Sequence, residues 1–286
     1  MSIPEPRHLS IYRDAGVAAS YDHLVAPYLM TAPAKDLVAS LGLPVGGLVL
    51  DVGCGSGAAT IPAAGVVGPG GRVIALDPSV EMLRLLQRKG GYALVAAEAP
   101  GLPFPAGLFD AVLANFVLAH VSSYRLALAD MVRVLQPGGR LGATAWADAQ
   151  SEFDKAWRDV AGTFWSIARL DQAFREMVPW REWFAGSAHL RQALEEAGLT
   201  DVESRCLEYR VRTTVSGYLS LREADLRGQL LRQHLEPERW EAFKQQMMAA
   251  FCSRFPEPIE YGLSVFLASG MKPAKGSRTS RLIRIP

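Results

Sequence analysis

Between residues 48 and 146, short apolar runs alternate with longer segments whose apolar residues recur every three or four positions. The runs 48-LVLDV-52, 72-RVIALD-77, 92-YALVAA-97, 109-FDAVLAN-115 and 140-RLGATAW-146 have strand length and little polar alternation, as strands buried on both faces do. Helical segments separate them near 58–67, over 79–90 (opened by Ser79, closed by Gly90) and near 123–135, with the turn 136-QPGG-139 before the fifth strand. Single helices between strands imply right-handed crossovers and a parallel sheet. The pattern predicts an α/β fold with a Rossmann-like, doubly wound core over residues 40–147.

On either side of that core the pattern changes. Residues 31–43 read as a helix capped by Thr31 and ended by Gly42. Residues 151–185 are helical in period and rich in Trp and Phe, and a helix over 187–198, opened by Ser187, follows. A strand over 202–213, two helical stretches and a last strand over 260–269 complete the chain. The whole is expected to be a mostly parallel seven-stranded sheet with a helical cap inserted after the fifth strand.

Composition narrows the function without naming it. Lys and Arg number 30 against 29 acidic residues, so there is no global field to draw in nucleic acid or an anionic membrane, and neither partner is expected. The three cysteines, Cys54, Cys206 and Cys252, show no metal-binding or disulfide spacing; no metal and a cytoplasmic location are expected. No apolar run predicts a membrane span or a signal peptide.

The chemistry gathers at 49-VLDVGCGSGAAT-60. Glycines at alternate positions let the backbone turn with positive φ and let a ligand approach closely. Gly53-x-Gly55-x-x-Ala58, with Asp77 downstream, formally fits a dinucleotide fingerprint. Asp51, just ahead of the turn, argues otherwise, because a carboxylate there repels a diphosphate and welcomes a cation. S-adenosylmethionine, with a sulfonium, an ammonium and no phosphate, suits that seat. A nicotinamide oxidoreductase and a non-catalytic cofactor-binding module stay open as alternatives.

Four segments, VLDVGCGSG (49–57), ALDPSVEML (75–83), LPFPAGLFDAVLANFVLAHV (102–121) and RVLQPGGRL (133–141), together resemble the class I S-adenosylmethionine-dependent methyltransferases. The likeness is to the small-molecule branch related to ubiquinone/menaquinone biosynthesis methyltransferases, and VFLASGMKP is similar to that family's closing strand. The resemblance implies S-adenosyl-L-methionine as cofactor and a small organic methyl acceptor as partner, and the Trp- and Phe-rich segment makes an apolar or aromatic acceptor the expectation. The same resemblance implies that Gly53, Gly55 and Gly57 cradle the cofactor, that Asp51 faces its amino group directly or through water, and that Asp77, followed by Pro78, accepts its ribose hydroxyls. Met82 is placed against adenine, although a helical Met also serves as plain core. Glu98 and Ala99 stand at the adenine amino group, and Asn115 stands beside the reacting methyl. His120, past the fourth strand, is the candidate base; packing of the loop is its structural alternative.

The resemblance also implies that the N-terminal segment, with Tyr12 and Tyr21, folds over the cofactor as a lid. Five of the six tryptophans fall between residues 146 and 183. Trp146 and Trp165 are assigned with Tyr12 to the acceptor, against the alternative that these aromatics glue the cap to the sheet. The expected organisation is a helical lid segment over 1–43, the cofactor-binding core over 44–148 and a cap insertion over 149–200. The final strands with a second helical insertion follow over 201–270, and a basic tail over 271–286.

Overall fold

A computed structural model describes residues 11–147 and 151–274. The basic tail beyond Ala274 and the start of the chain before Ile11 lie outside the described residues. Five strands run parallel, β1 (Leu48–Val52), β2 (Arg72–Leu76), β3 (Ala93–Val95), β4 (Phe109–Asn115) and β5 (Leu135–Trp146), side by side in the order β3-β2-β1-β4-β5. Two long strands extend the sheet past β5. β6 (Thr200–Thr213) forms the edge, and β7 (Ile259–Met271) lies between it and β5, antiparallel to both. The strand order reverses between β1 and β4, and there the carboxyl ends of parallel strands open a crevice.

The helices are α1 (Ala15–Ser20), α2 (Thr31–Leu41), α3 (Thr60–Val67), α4 (Val80–Lys89), α5 (Tyr124–Val134), α6 (Glu152–Phe164), α7 (Ile167–Met177), α8 (Arg181–Phe184), α9 (His189–Glu196), α10 (Val215–Ala224), α11 (Leu226–Arg232) and α12 (Pro237–Arg254). On one face of the sheet α2 and α3 bury Leu37, Leu41, Ala63 and Val67 against Val49 and Leu113. On the other, α5 and α9 bury Leu128, Met131, Leu190 and Leu194 against Leu50, Val112 and Leu141. These strands are mostly apolar because both of their faces are covered, with Asp51 of β1 a buried exception. Helix starts are fixed locally: Ser79 accepts the Met82 N–H at 3.2 Å and Ser123 the Leu126 N–H at 3.4 Å, while Ser151 and Asp154 cap α6 reciprocally.

Three expectations need correction. Thr31 does not cap a new helix. The chain is already helical from Ala15, where the Asp14 carboxylate accepts the Gly16 and Val17 N–H groups at 2.8 and 3.0 Å. A wide π turn over Tyr21–Met30 carries Pro27, whose missing N–H a regular helix would not tolerate, and the Thr31 hydroxyl donates to the Ala26 carbonyl at 2.9 Å. Ser187 likewise makes no cap; α9 begins after Ala188, where the His189 ring stacks on Trp183 at 4.4 Å.

The third correction concerns the cap. α8 and α9, assigned to it from sequence, pack on the sheet through Phe184, Leu190 and Leu194. The cap core is built from α6 and α7 together with α10, α11 and α12, around Trp157, Phe243 and Phe251. Two insertions far apart in the chain thus close one apolar core, which neither could bury alone.

Candidate active site

The crevice at the strand reversal is walled by the turn after β1, the end of β2, the loop after β3, the end of β4 and the N-terminal segment. Gly53 and Gly55 line it with φ of 64° and 52°, as do Asp77, Pro78 and Met82. Glu98, Ala99 and Asn115 line it too, with His120, Trp146, Tyr12 and Tyr21. Twelve residues chosen from sequence therefore meet in one cleft.

Glycine is required here for two separate reasons. A Cβ on Gly53 would sit 2.5 Å from Val117 Cγ2 in a left-handed backbone, so β1's turn abuts the loop after β4 with no room for a side chain. A Cβ on Gly55 would meet nothing within 4 Å, so that position borders open space where a ligand can reach the backbone. Gly53→Ala is expected to lower stability by about 2 kcal/mol, the sum of backbone strain and overpacking. Urea unfolding with an unchanged midpoint would show that the turn relaxes without cost.

Three sequence-chosen residues lie elsewhere. Gly57 faces α4, where an added Cβ would stand 2.4 Å from Leu86 Cδ1; it serves close helix packing rather than the cleft wall. Trp165 stacks on His234 with ring centres 4.1 Å apart, inside the cap, and is no acceptor wall. Its neighbours explain the error: aromatic density marks a core here, since Phe153, Trp157, Phe164 and Phe174 also pack in the cap, while Trp180, Trp183 and Phe184 gather around Tyr124.

Asp51 is the third. It is fully buried in β1, beneath the turn and outside the cleft wall. Oδ2 accepts the Thr60 hydroxyl at 2.6 Å, and Oδ1 has no partner among the described residues. Burial pushes its carboxyl up to about 7, the Thr60 bond opposes this, and the charge of Asp77 adds to it.

Asp77 ends β2 with both oxygens engaged, Oδ2 by the Gly55 N–H and Oδ1 by the Ser79 N–H, each at 2.8 Å. Burial raises it to about 6 against those two bonds. Each oxygen keeps a lone pair for a ligand hydroxyl. Two buried carboxylates around a glycine turn suit a cationic ligand and oppose a diphosphate, which satisfies the fit to S-adenosylmethionine on the structure's own terms.

Sequence reasoning missed Phe116, Val117, Met30, Ser79 and Ser122, all of which line the cleft. Phe116 is the most informative. Its φ is 60°, rare for a bulky residue, and its ring stacks on Trp146 at 4.2 Å. The Thr144 hydroxyl holds this corner: it accepts the Phe116 N–H at 2.9 Å and donates to Asn115 Oδ1 at 2.8 Å. The Asn115 amide N–H₂ is thereby fixed in direction.

The N-terminal segment borders the cleft and is tied down twice. Ser79 donates its hydroxyl to the Tyr12 carbonyl at 2.6 Å, and Asp22 pairs with Lys89, which also donates to the Ser56 carbonyl at 2.9 Å. Tyr12 and Tyr21 meet edge to face at 5.4 Å. Among the described residues no group of three or more His, Cys, Asp or Glu is placed to hold a metal, and no helix is long and apolar enough to cross a membrane.

A family model described as a methyltransferase domain matches residues 50–143, and one described as protein-L-isoaspartate(D-aspartate) O-methyltransferase matches residues 3–90. The chain is 34% identical over 146 residues to the ubiquinone/menaquinone biosynthesis C-methyltransferase of Marinomonas sp. (strain MWYL1), 48% of this chain and 58% of that protein. It is 31% identical over 194 residues to the demethylmenaquinone methyltransferase of Staphylococcus aureus (strain JH9), covering 64% of this chain and 80% of that one. Among solved structures, the phosphoethanolamine N-methyltransferase 2 of Haemonchus contortus, in complex with phosphomonomethylethanolamine and S-adenosylhomocysteine, superposes with a TM-score of 0.58. That match covers 95% of this chain and 61% of that one at 15% identity, a likeness of fold.

Proposed function

This chain belongs to the class I S-adenosylmethionine-dependent methyltransferases, and from that membership we propose that it methylates a small planar, aromatic acceptor held between His120 and the stacked rings of Phe116 and Trp146. The observation that carries the cofactor part is the buried, half-satisfied carboxylate of Asp51 under an open glycine turn. When bound, S-adenosylmethionine would supply a methyl on a positively charged sulfur, open to in-line attack by a nucleophile as the methyl–sulfur bond breaks and neutral S-adenosylhomocysteine leaves. The remaining work falls to the chain's own groups.

Asp77 accepts the ribose hydroxyls while Ser79 and Gly55 hold its carboxylate in place. Asp51 balances the ammonium from below the turn. Met82, Glu98 and Ala99 border the adenine. Asn115, oriented by Thr144, borders the transfer point, and His120 takes the proton that the acceptor must lose. Tyr12 and Tyr21 cover the site and exclude water, which strengthens each of these electrostatic contacts. The names of the two curated relatives point to quinone-biosynthesis chemistry; we take from them only the planar ring.

Calorimetry with S-adenosylhomocysteine and NADH, followed by a mass search for methylated phenols and quinols, tests this reading. Micromolar binding of the first compound and a methylated ring product are expected. NADH binding alone, or cofactor binding with no transfer to any ring compound, would sink it.

A pH effect follows as well. Asp51 and Asp77 bind protons more tightly in the folded chain than in the unfolded one, so the cofactor-free protein loses stability as pH rises from about 4 through 7. A bound cation favours the ionised forms and expels those protons. Affinity is therefore expected to climb about tenfold between pH 6 and pH 7, with proton release at pH 6. Titration calorimetry in two buffers of different ionisation heat measures the release; no proton change at pH 6 would separate Asp51 from the cofactor.

A further inference from the structure

Next to the cleft lies a second cavity, of about 150 Å³, to which the methyl-transfer reading gives no purpose. Trp146 lines both, and of the neighbours Met30 lines the cleft and Leu29 the second cavity. Cleft and cavity also sense each other: burial first, and then the charge of Asp225 in the second cavity, push the Tyr12 phenol of the cleft well above its ordinary value.

The second cavity mixes apolar walls with charged side chains, and those charges offset. Arg222 of α10 pairs with Asp225 at 2.8 Å and Asp154 at 3.4 Å, with its guanidinium 4.8 Å from the centre of the Trp157 ring. Arg181 donates to the Trp146 and Ala147 carbonyls, each at 3.0 Å. Two cations face two carboxylates, so neither an anion nor a cation is favoured there.

Hydrogen bonding is less balanced. Arg222 Nε and the Tyr261 hydroxyl are buried and have no partner among the described residues. The first can only donate and the second can donate, so each calls for a lone-pair atom. Buried donors without a partner are uncommon in folded proteins, and these two belong to residues that line the same cavity.

Resting on the aromatic-acceptor reading, we propose that the acceptor has two parts: a planar ring in the cleft, and beyond Trp146 a short arm ending in a neutral carbonyl or hydroxyl oxygen that accepts from Arg222 Nε and Tyr261. An isoprenyl or alkyl tail would leave both donors unpaired and strip water from four charged side chains. A carboxylate arm meets Asp154 and Asp225, and an ammonium arm meets Arg222 and Arg181. This chain thereby separates from a quinone with a greasy tail while keeping the ring.

The test uses the full chain saturated with S-adenosylhomocysteine and hydroquinone, catechol and 1-naphthol rings, each bearing an acetamidoethyl, a butyl or a carboxyethyl arm. On a ring that binds, calorimetry is expected to show the acetamidoethyl compound about tenfold tighter than either partner, because a site built around hydrogen-bond donors discriminates against arms that leave them unpaired. Arg222 also anchors two carboxylates, so the informative variant is Tyr261→Phe, which removes only an unpaired hydroxyl. It is expected to reduce that preference about fivefold, with S-adenosylhomocysteine affinity reporting that the fold persists. Equal binding of the three arms, a butyl preference, or an unchanged preference in Tyr261→Phe overturns the polar arm and leaves the ring reading standing. S-adenosylhomocysteine binding with none of the nine ring compounds bound overturns the ring reading, and the arm with it.

Discussion

Asp51→Asn is expected to weaken S-adenosylmethionine binding roughly 10- to 100-fold and, above pH 7, to make the cofactor-free chain more stable. A hydrogen bond to a charged group contributes about 1.5–3 kcal/mol, and the substitution removes the charge while keeping an oxygen for the Thr60 hydroxyl. The gain in stability has the opposite origin. Without ligand, a buried carboxylate with an unpartnered oxygen is a cost that grows as pH rises from about 4 and is complete above about 7, where the folded group has ionised.

The two effects can be separated by pH. Near pH 3 Asp51 is protonated in the folded and the unfolded chain alike, so wild type and Asp51→Asn should unfold at nearly the same temperature. At pH 8 the variant should melt higher. Thermal unfolding at both pH values, with a binding titration at pH 8, gives the pair of readings. A variant that binds as tightly as wild type, or that melts lower at pH 8, would mean that Asp51 is structural and that some other feature selects the cofactor.

The elements legible in the sequence were those whose chemistry is local. A buried parallel strand is apolar along its whole length, a helix start needs an oxygen at its cap, and a left-handed turn selects glycine. β1, β4, Ser79 and the Gly53–Gly55 turn could be read on those grounds. Thr31 misled because a good capping residue does not start a helix when the preceding segment is itself helical. Trp165 misled because aromatic composition does not say which way a ring faces. The left-handed Phe116 was invisible, since that conformation comes from the Thr144 bond and the Trp146 stack, both made by the neighbouring strand β5.

The second cavity lay furthest out of reach. Asp154, Arg222, Asp225 and Tyr261 are spread over more than a hundred residues and three kinds of element, and no spacing links them. What joins them is the packing of α6 and α10 beside β7. The cleft wall, built from the successive turns that follow β1, β2, β3 and β4, is motif-like for the same physical reason that the second cavity is not.

His120→Ala is expected to lower kcat about a hundredfold or more while changing the Kd for S-adenosylhomocysteine by less than about twofold. His120 sits in the turn after β4, its N–H donated to the Val117 carbonyl at 2.9 Å, and lines the cleft with Asn115 and Trp146. A phenolic nucleophile is a poor one until it loses its proton, and a base held at the transfer point removes that barrier in the same step that forms the new bond. A packing role predicts a different result: lost stability and looser binding of both ligands.

pH provides the discriminating measurement. As pH approaches that at which a phenol ionises unaided, near 10, the acceptor needs no base, and the gap in turnover between His120→Ala and wild type should close. A hydroquinone or catechol acceptor followed from pH 7 to pH 9.5 shows whether it does. A constant ratio across that range, or full turnover of the variant at saturating acceptor, would remove His120 from the proton transfer and leave positioning by Asn115 and the Phe116–Trp146 stack as the chain's contribution to the reaction.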